Sequence, residues 1–166
     1  MSLVLFAPDV ATADSVAAGH WVLDTCRALR ARGHEVMLHP RERHLGWLAT
    51  SLEAEGVRVL PYDAKSSDEE DEVGHAPRFR ARRVVALARG NDVQWVLAQG
   101  LNLCMTLTGA RALRDKLWSL PFDAPFRTEP VGQEHLARVE NILAGSHRLL
   151  VAAEAQRAEL EARFPA

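Results

Sequence analysis

The sequence predicts an α/β domain of three layers, with a mostly parallel sheet of about six strands. Apolar runs of strand length alternate with amphipathic helices along the whole chain, and the connections between them are short. The first run, Leu3–Ala7, has no polar break, as expected for a strand that is buried on both faces. No linker or internal repeat divides the 166 residues, so we predict a single domain over residues 1–166.

The composition is that of an ordinary globular protein. Hydrophobic residues make up 48% of the chain, charged residues 25%, and the net charge is −2 at pH 7, which favours neither a nucleic acid nor an anionic membrane as partner. No run approaches the ~20 apolar residues of a transmembrane segment, and the N-terminus lacks the basic region of a signal peptide. We therefore expect a soluble, cytoplasmic protein. Cys26 and Cys104 fall on apolar helix faces, which indicates two buried thiols in a reduced compartment.

The first third of the chain, residues 3–36, sets the pattern of the fold. Pro8 ends the first strand, residues 9–20 are predicted as a loop, and a helix follows whose buried face carries Val22, Cys26 and Leu29. Gly33 ends this helix, in the position where a left-handed residue is favoured. Open α/β sheets bind ligands at the carboxyl ends of their strands, so residues 9–20 are the first segment in which to expect a site.

The later elements follow the same rhythm of strand, helix and strand. We predict further strands at residues 35–39, 57–60, 93–98, 116–120 and 148–152. Helices are predicted at residues 45–55, from 78 onward, at 103–114, 134–143 and 154–164. The acidic run Asp68 to Glu72 is expected to be a solvated loop, with a surface for a basic partner as the alternative. The arginines at 78–83 lack the interleaved aromatic residues of a nucleic-acid patch.

The common motifs for cofactors and metals are absent from the sequence. Gly19 stands alone where a dinucleotide-binding loop would have G-x-G-x-x-G, and there is no P-loop, G-x-S-x-G or Cys-x-x-Cys. The seven histidines show no metal-ligand spacing, and no Asp-x-Asp occurs. We therefore expect no metal and no tightly bound cofactor.

Four polar or small residues remain as candidates for chemistry. His20 could help a helix N-terminus to bind an anion, or could simply face solvent. Gln99 and Gly100 end the fourth predicted strand, where glycine permits close backbone approach and the carboxamide can donate and accept. Asp123 follows the fifth strand and could accept hydrogen bonds from substrate hydroxyls, or fix a turn between two prolines.

The order and spacing of these elements resemble the N-terminal domain of a GT-B glycosyltransferase of the large retaining family 4. The resemblance is carried by Leu-Arg-Ala-Arg-Gly-His-Glu-Val at residues 29–36, and by the segments 56–59, 92–100 and 149–157. It implies a Rossmann-like domain that holds the acceptor. A C-terminal domain, absent from residues 1–166, would hold the nucleotide-sugar, which is a co-substrate and not a cofactor. It also implies that this domain alone is inactive.

The resemblance implies a site with two parts. The loop over the donor phosphates and the acceptor would comprise Ala18, Gly19 and His20. Acceptor hydroxyls would be oriented by Gln99, Gly100 and Asp123. No residue is assigned as catalytic.

The chain departs from the family pattern at three places. It has Ala18-Gly19 where a Gly-Gly pair is common, no histidine at the end of the fourth strand, and Ala153 in place of a serine after the last strand. Two alternatives therefore stay open. One is a non-catalytic GT-B-like binding module, and the other is a different enzyme that binds a small ligand on a doubly wound sheet.

Overall fold

The computed structural model describes residues 1–10, 12, 15–62, 76–121, 133–151 and 153–164. Within these residues the strands are β1 (Leu3–Ala7), β2 (Glu35–Leu38), β3 (Arg58–Val59), β4 (Trp95–Gln99), β5 (Leu117–Leu120) and β6 (Arg148–Leu149). The helices are α1 (Val16–Ala31), α2 (Trp47–Ala54), α3 (Ala76–Gly90), α4 (Leu101–Thr108), α5 (Gln133–Gly145) and α6 (Glu154–Arg163).

The strands form one sheet, in which every pairing among the described residues is parallel. The strand order is β3-β2-β1-β4-β5-β6, so the prediction of a mostly parallel sheet of about six strands is confirmed. The chain adds strands on one side of β1 first and then on the other. The carboxyl ends of β1 and β4 therefore flank the point where the strand order reverses, which is where open α/β sheets bind ligands.

Helices cover both faces of the sheet, which gives the predicted three layers. Along β1, Leu5 and Ala7 pack under α3, α4 and α5, whereas Val4 and Phe6 pack under α1 and α2. Residues 4–7 are all fully buried, as the unbroken apolar run predicts. This burial fixes β1 in the centre of the sheet, and with it the position at which residues 8 and 9 leave the strand.

Helix α1 begins earlier than the sequence indicates, and this corrects the predicted loop at 9–20. Ser15 is the N-cap residue, with extended backbone and a side-chain oxygen that accepts from the Ala18 amide at 3.2 Å. Ala18, Gly19 and His20 therefore lie in the first turns of α1 and are not loop residues.

The other boundaries differ from the predicted ones by a few residues. The predicted helix at 103–114 is divided, because α4 ends at Thr108 and a short 3₁₀ helix, Arg111–Leu113, follows Gly109. Strand β6 comprises two residues, where five were predicted. The acidic run at 68–72 lies outside the described residues.

Both cysteines are buried and free, as predicted for their positions on apolar faces. Burial raises the pKa of both thiols to about 12, so they are unreactive at neutral pH. No helix in the described part of the chain is long and apolar enough to cross a bilayer.

Candidate functional site

The ends of β1 and β4 meet at the point where the strand order reverses. The Asp9 amide N–H donates to both oxygens of Gln99, at 3.1 Å to the backbone carbonyl and 2.8 Å to Oε1. Gly100 follows with φ of 102°, and a Cβ built there would lie 2.6 Å from the Asp9 Cβ. A glycine is therefore required at position 100 for this approach of the two strand ends.

The Gln99 side chain is fully buried. Because its carboxamide oxygen already accepts from Asp9, it fixes the direction in which the chain leaves β1. The structure thus places Gln99 and Gly100 together at the expected edge of the sheet. The contact of Gln99 with an acceptor hydroxyl stays a prediction.

Arg80 of α3 joins the carboxyl ends of β1 and β2. Its Nη1 donates to Asp9 Oδ1 at 2.9 Å, and its Nη2 donates to the carbonyls of Pro8 at 2.5 Å and His39 at 3.0 Å. The side chain is only 11% exposed. Burial lowers the pKa of Arg80 to about 10, against the opposing effect of the Asp9 charge, so the guanidinium remains charged at neutral pH.

Arg41 approaches Asp9 from the segment that follows β2. Its Nε lies 3.7 Å from Asp9 Oδ1, and its Nη1 donates to the Asp9 carbonyl at 3.3 Å. The Asp9 side chain is 25% exposed. Asp9 is therefore an accessible carboxylate, held between two guanidinium groups, and it can accept a hydrogen bond from a ligand hydroxyl.

His39 follows β2 directly and adjoins this network, because its backbone carbonyl accepts from Arg80. It is 4% exposed, and its Nδ1 has no hydrogen-bond partner among the described residues. Burial, followed by the charges of Arg80 and Arg83, lowers the pKa of His39 to about 4. The imidazole is therefore neutral at pH 7.

A further contact joins the loop after β1 to the segment after β2. Thr12 donates from both its amide and its hydroxyl to the Glu42 carboxylate. Together with Arg80 and Arg41, this contact fixes the first loop to the second strand.

The residues predicted to close over donor phosphates pack against α2 instead of joining the Asp9 network. The His20 ring lies 4.8 Å from the Trp47 ring, and a Cβ at Gly19 would come within 2.8 Å of the Trp47 ring. Gly19 therefore has a packing explanation, and any contact with phosphates stays a prediction. Asp123 lies outside the described residues.

Sequence reasoning missed Arg41, Arg80 and His39, and it named Asp9 only as the start of a suspect segment. A carboxylate one residue past a buried parallel strand was a usable signal for Asp9. Among the described residues no three His, Cys, Asp or Glu side chains are grouped to hold a metal ion.

No protein-family model and no curated protein matches the sequence. Among solved structures the chain is similar to a protein of Listeria monocytogenes assigned as a UDP-N-acetylglucosamine 2-epimerase. The TM-score is 0.59 and the identity 12%, over 100% of this chain and 43% of that one. It is also similar to a glycosyltransferase from Rickettsia africae ESF-5, with a TM-score of 0.53 and 11% identity, over 90% of this chain and 42% of that one.

The chain spans less than half the length of either protein. At such low identities the likeness shows the fold alone, and that fold is the Rossmann-like α/β domain that the sequence predicts.

Proposed function

We propose that this chain is the acceptor-side domain of a glycosyltransferase, which moves a sugar from a nucleotide-sugar to an acceptor in the full-length protein. The observation that carries the proposal is the Asp9 carboxylate. It is partly exposed at the reversal point of the sheet, and two arginines orient it. The donor domain would lie beyond residues 1–166, and the assignment to the retaining family 4 rests on the sequence resemblance alone.

In this proposal the domain contributes positioning. Asp9 accepts a hydrogen bond from an acceptor hydroxyl, and the guanidinium groups of Arg41 and Arg80 keep the carboxylate in one orientation. Gly100 has no side chain and thereby leaves room for the side chain of Asp9. Holding the hydroxyl beside the reacting carbon of the sugar donor lowers the entropic part of the barrier.

The test is acceptor kinetics of the full-length protein, once a panel of nucleotide-sugars has identified its donor. Asp9→Asn keeps the shape of the side chain but removes its charge. We expect a loss of about tenfold to a hundredfold in kcat/KM for the acceptor, the usual effect of losing a hydrogen bond to a charged group. Asp24→Asn is the matched control, since Asp24 is an exposed carboxylate on α1. Equal kinetics for the two variants would contradict the role of Asp9.

The roles of the other predicted residues are tested in the same assay. Gln99→Ala removes the side-chain oxygen, one of the two oxygens that accept from the Asp9 amide, and should raise the KM for the acceptor. Asp123→Ala tests the second predicted carboxylate. If both variants left acceptor kinetics unchanged, Gln99 and Asp123 would have no part in orienting the acceptor.

A second candidate is an enzyme that rearranges a nucleotide-sugar without an acceptor. It is favoured by the structure assigned as a UDP-N-acetylglucosamine 2-epimerase, which matches the whole of this chain. Conversion of UDP-N-acetylglucosamine by the full-length protein in the absence of any acceptor would support this candidate and contradict the transferase.

A further inference from the structure

We propose that His39, Arg80 and Arg83 form a binding site for the phosphate group of a phosphorylated acceptor. The site lies between the end of β2 and the first half of α3, beside the Asp9 network. The assignment of this phosphate to the acceptor rests on the proposed function, whereas the site itself rests on the residues below.

Three buried nitrogen atoms in this region have no hydrogen-bond partner among the described residues. They are His39 Nδ1, Arg80 Nε and Arg83 Nε. Arg80 and Arg83 are one helical turn apart, so they lie on the same side of α3. Arg80 also donates to the His39 backbone carbonyl at 3.0 Å, and the charges of Arg80 and Arg83 both lower the pKa of the His39 imidazole, so the two guanidinium groups lie near that ring. Buried polar groups in native proteins nearly always have partners, so three unpartnered atoms together indicate a ligand.

The chemistry of these atoms indicates an oxyanion. A guanidinium Nε–H can only donate, and a neutral imidazole donates from Nδ1 in one of its two tautomers. A ligand that satisfies all three must therefore offer several acceptor atoms close together. The terminal oxygens of a phosphate group do so, and guanidinium groups are well suited to bind them.

The balance of charge also favours an anion. The region holds three guanidinium groups and two carboxylates. Asp9 pairs with Arg80 and Arg41, and Glu42 accepts from Thr12. Within the described ranges, no carboxylate lies at ion-pair distance from Arg83. The Arg83 side chain thus offers a positive charge that a phosphate would neutralise.

Two arginines at the edge of the network reach solvent. The Arg41 side chain is 51% exposed and the Arg83 residue is half-buried. A phosphate monoester could therefore bind with its phosphate inward and the rest of the acceptor toward Asp9.

The experiment measures binding of inorganic phosphate to the 166-residue chain by isothermal titration calorimetry. We expect saturable binding, weakened by about tenfold or more in Arg83→Gln, since a charge-assisted hydrogen bond is lost. Arg82→Gln is the matched control, because it removes the same charge from the preceding residue of α3, which is exposed. Thermal unfolding of each variant verifies that the fold is retained.

Three further probes identify the source of the phosphate. Glucose 6-phosphate should bind at least as tightly as inorganic phosphate, with the same dependence on Arg83. Acetate should bind more weakly, because it has two oxygens and a single charge. Binding of UDP that is both tighter and dependent on Arg83 would assign the site to the donor and overturn the acceptor assignment.

Two results would overturn the site itself. One is the absence of saturable phosphate binding, as expected if only water satisfies the three nitrogen atoms. The other is equal weakening by Arg82→Gln and Arg83→Gln, which would indicate general attraction to a basic surface. Sugar transfer by the full-length protein does not depend on the outcome of these titrations. The proposed transferase function and the proposed phosphate site can therefore be contradicted independently.

Discussion

At the scale of single residues, Asp9 and Gly100 depend on each other. The Asp9 side chain occupies the space that a side chain at position 100 would need, with 2.6 Å between the two Cβ positions. The backbone of Gly100 is also in a region that other residues rarely adopt, with φ of 102°. The candidate site thus depends on the absence of a side chain as much as on the carboxylate.

We expect Gly100→Ala to destabilise the protein by about 3 kcal/mol, the sum of backbone strain and displacement of Asp9. Urea unfolding measures this free energy. Gly90→Ala is the control, since position 90 has an ordinary φ and nothing within 4 Å of a built Cβ. It should be neutral or slightly stabilising. Similar losses for the two variants would show that the contact with Asp9 does not matter.

A second prediction at this scale concerns pH. His39 is neutral in the folded protein, with a pKa of about 4, but has a pKa of 6.5 when unfolded. Between these values the unfolded chain binds the extra proton, so stability should fall as the pH falls from 6.5 to 4. The loss due to His39 should be about 3 kcal/mol. An NMR titration of the His39 ring, in the folded protein and in urea, measures both values. A folded-state midpoint near 6.5 would contradict the burial of this ring.

At the scale of secondary structure, the start of α1 determines where the first loop ends. Asp9, Thr12, Asp14 and Ser15 are all residue types that favour the N-cap, so the sequence offers several possible starts. In the structure the helix starts after Ser15, whose side-chain oxygen accepts from the Ala18 amide. Residues 9–20 were nevertheless predicted as loop, because they are rich in Ala, Ser, Thr and Asp and because the apolar period typical of a helix begins only at Val22. Ala18, Gly19 and His20 were therefore assigned to the loop.

We expect Ser15→Ala to destabilise the protein by about 1 kcal/mol, because the Ala18 amide in the first turn loses its side-chain partner. Ser15→Asp should retain stability, since aspartate caps helices as well as serine does. Urea unfolding compares the two variants. Equal stability of Ser15→Ala and the parent chain would mean that solvent or the loop satisfies the Ala18 amide.

The distribution of arginines around α3 explains why the sequence did not single out Arg80. Arginines occupy positions 78, 80, 82 and 83 and point to different sides of the helix. Their positions therefore do not indicate which side of the helix is buried. Which of them turns inward is decided by the carbonyls of Pro8 and His39, which lie far away in the sequence. Tertiary contacts of this kind are not contained in local periodicity.

At the scale of the whole molecule, the alternation of strands and helices predicted the layers and the parallel sheet. Right-handed crossovers permit several strand orders, however, so alternation alone does not show that β4 adds beside β1. That pairing brings Gln99 to Asp9 and forms the site. The fold class was therefore predictable from the sequence. For the site, the sequence predicted only the edge of the sheet at which it lies, and not the residues that meet there.

The isolated chain of 166 residues is expected to turn over no nucleotide-sugar, because the proposed donor-binding domain is missing. Mass spectrometry of a panel of nucleotide-sugars, incubated with a high concentration of this chain, measures any transfer or hydrolysis. The full-length protein, assayed in parallel, is the control. Turnover by the isolated chain would contradict the division of labour between two domains.

The hydrogen bond from the Asp9 amide has a consequence for how the molecule opens. It reaches Gln99 across 90 residues of chain, and it spans the boundary between the half of the sheet formed by β1, β2 and β3 and the half formed by β4, β5 and β6. Its proton can exchange with deuterium only when the bonds to Gln99 open. The exchange rate of this single amide therefore reports how often the contact between the ends of β1 and β4 opens, and a ligand that bridges these two ends would slow it.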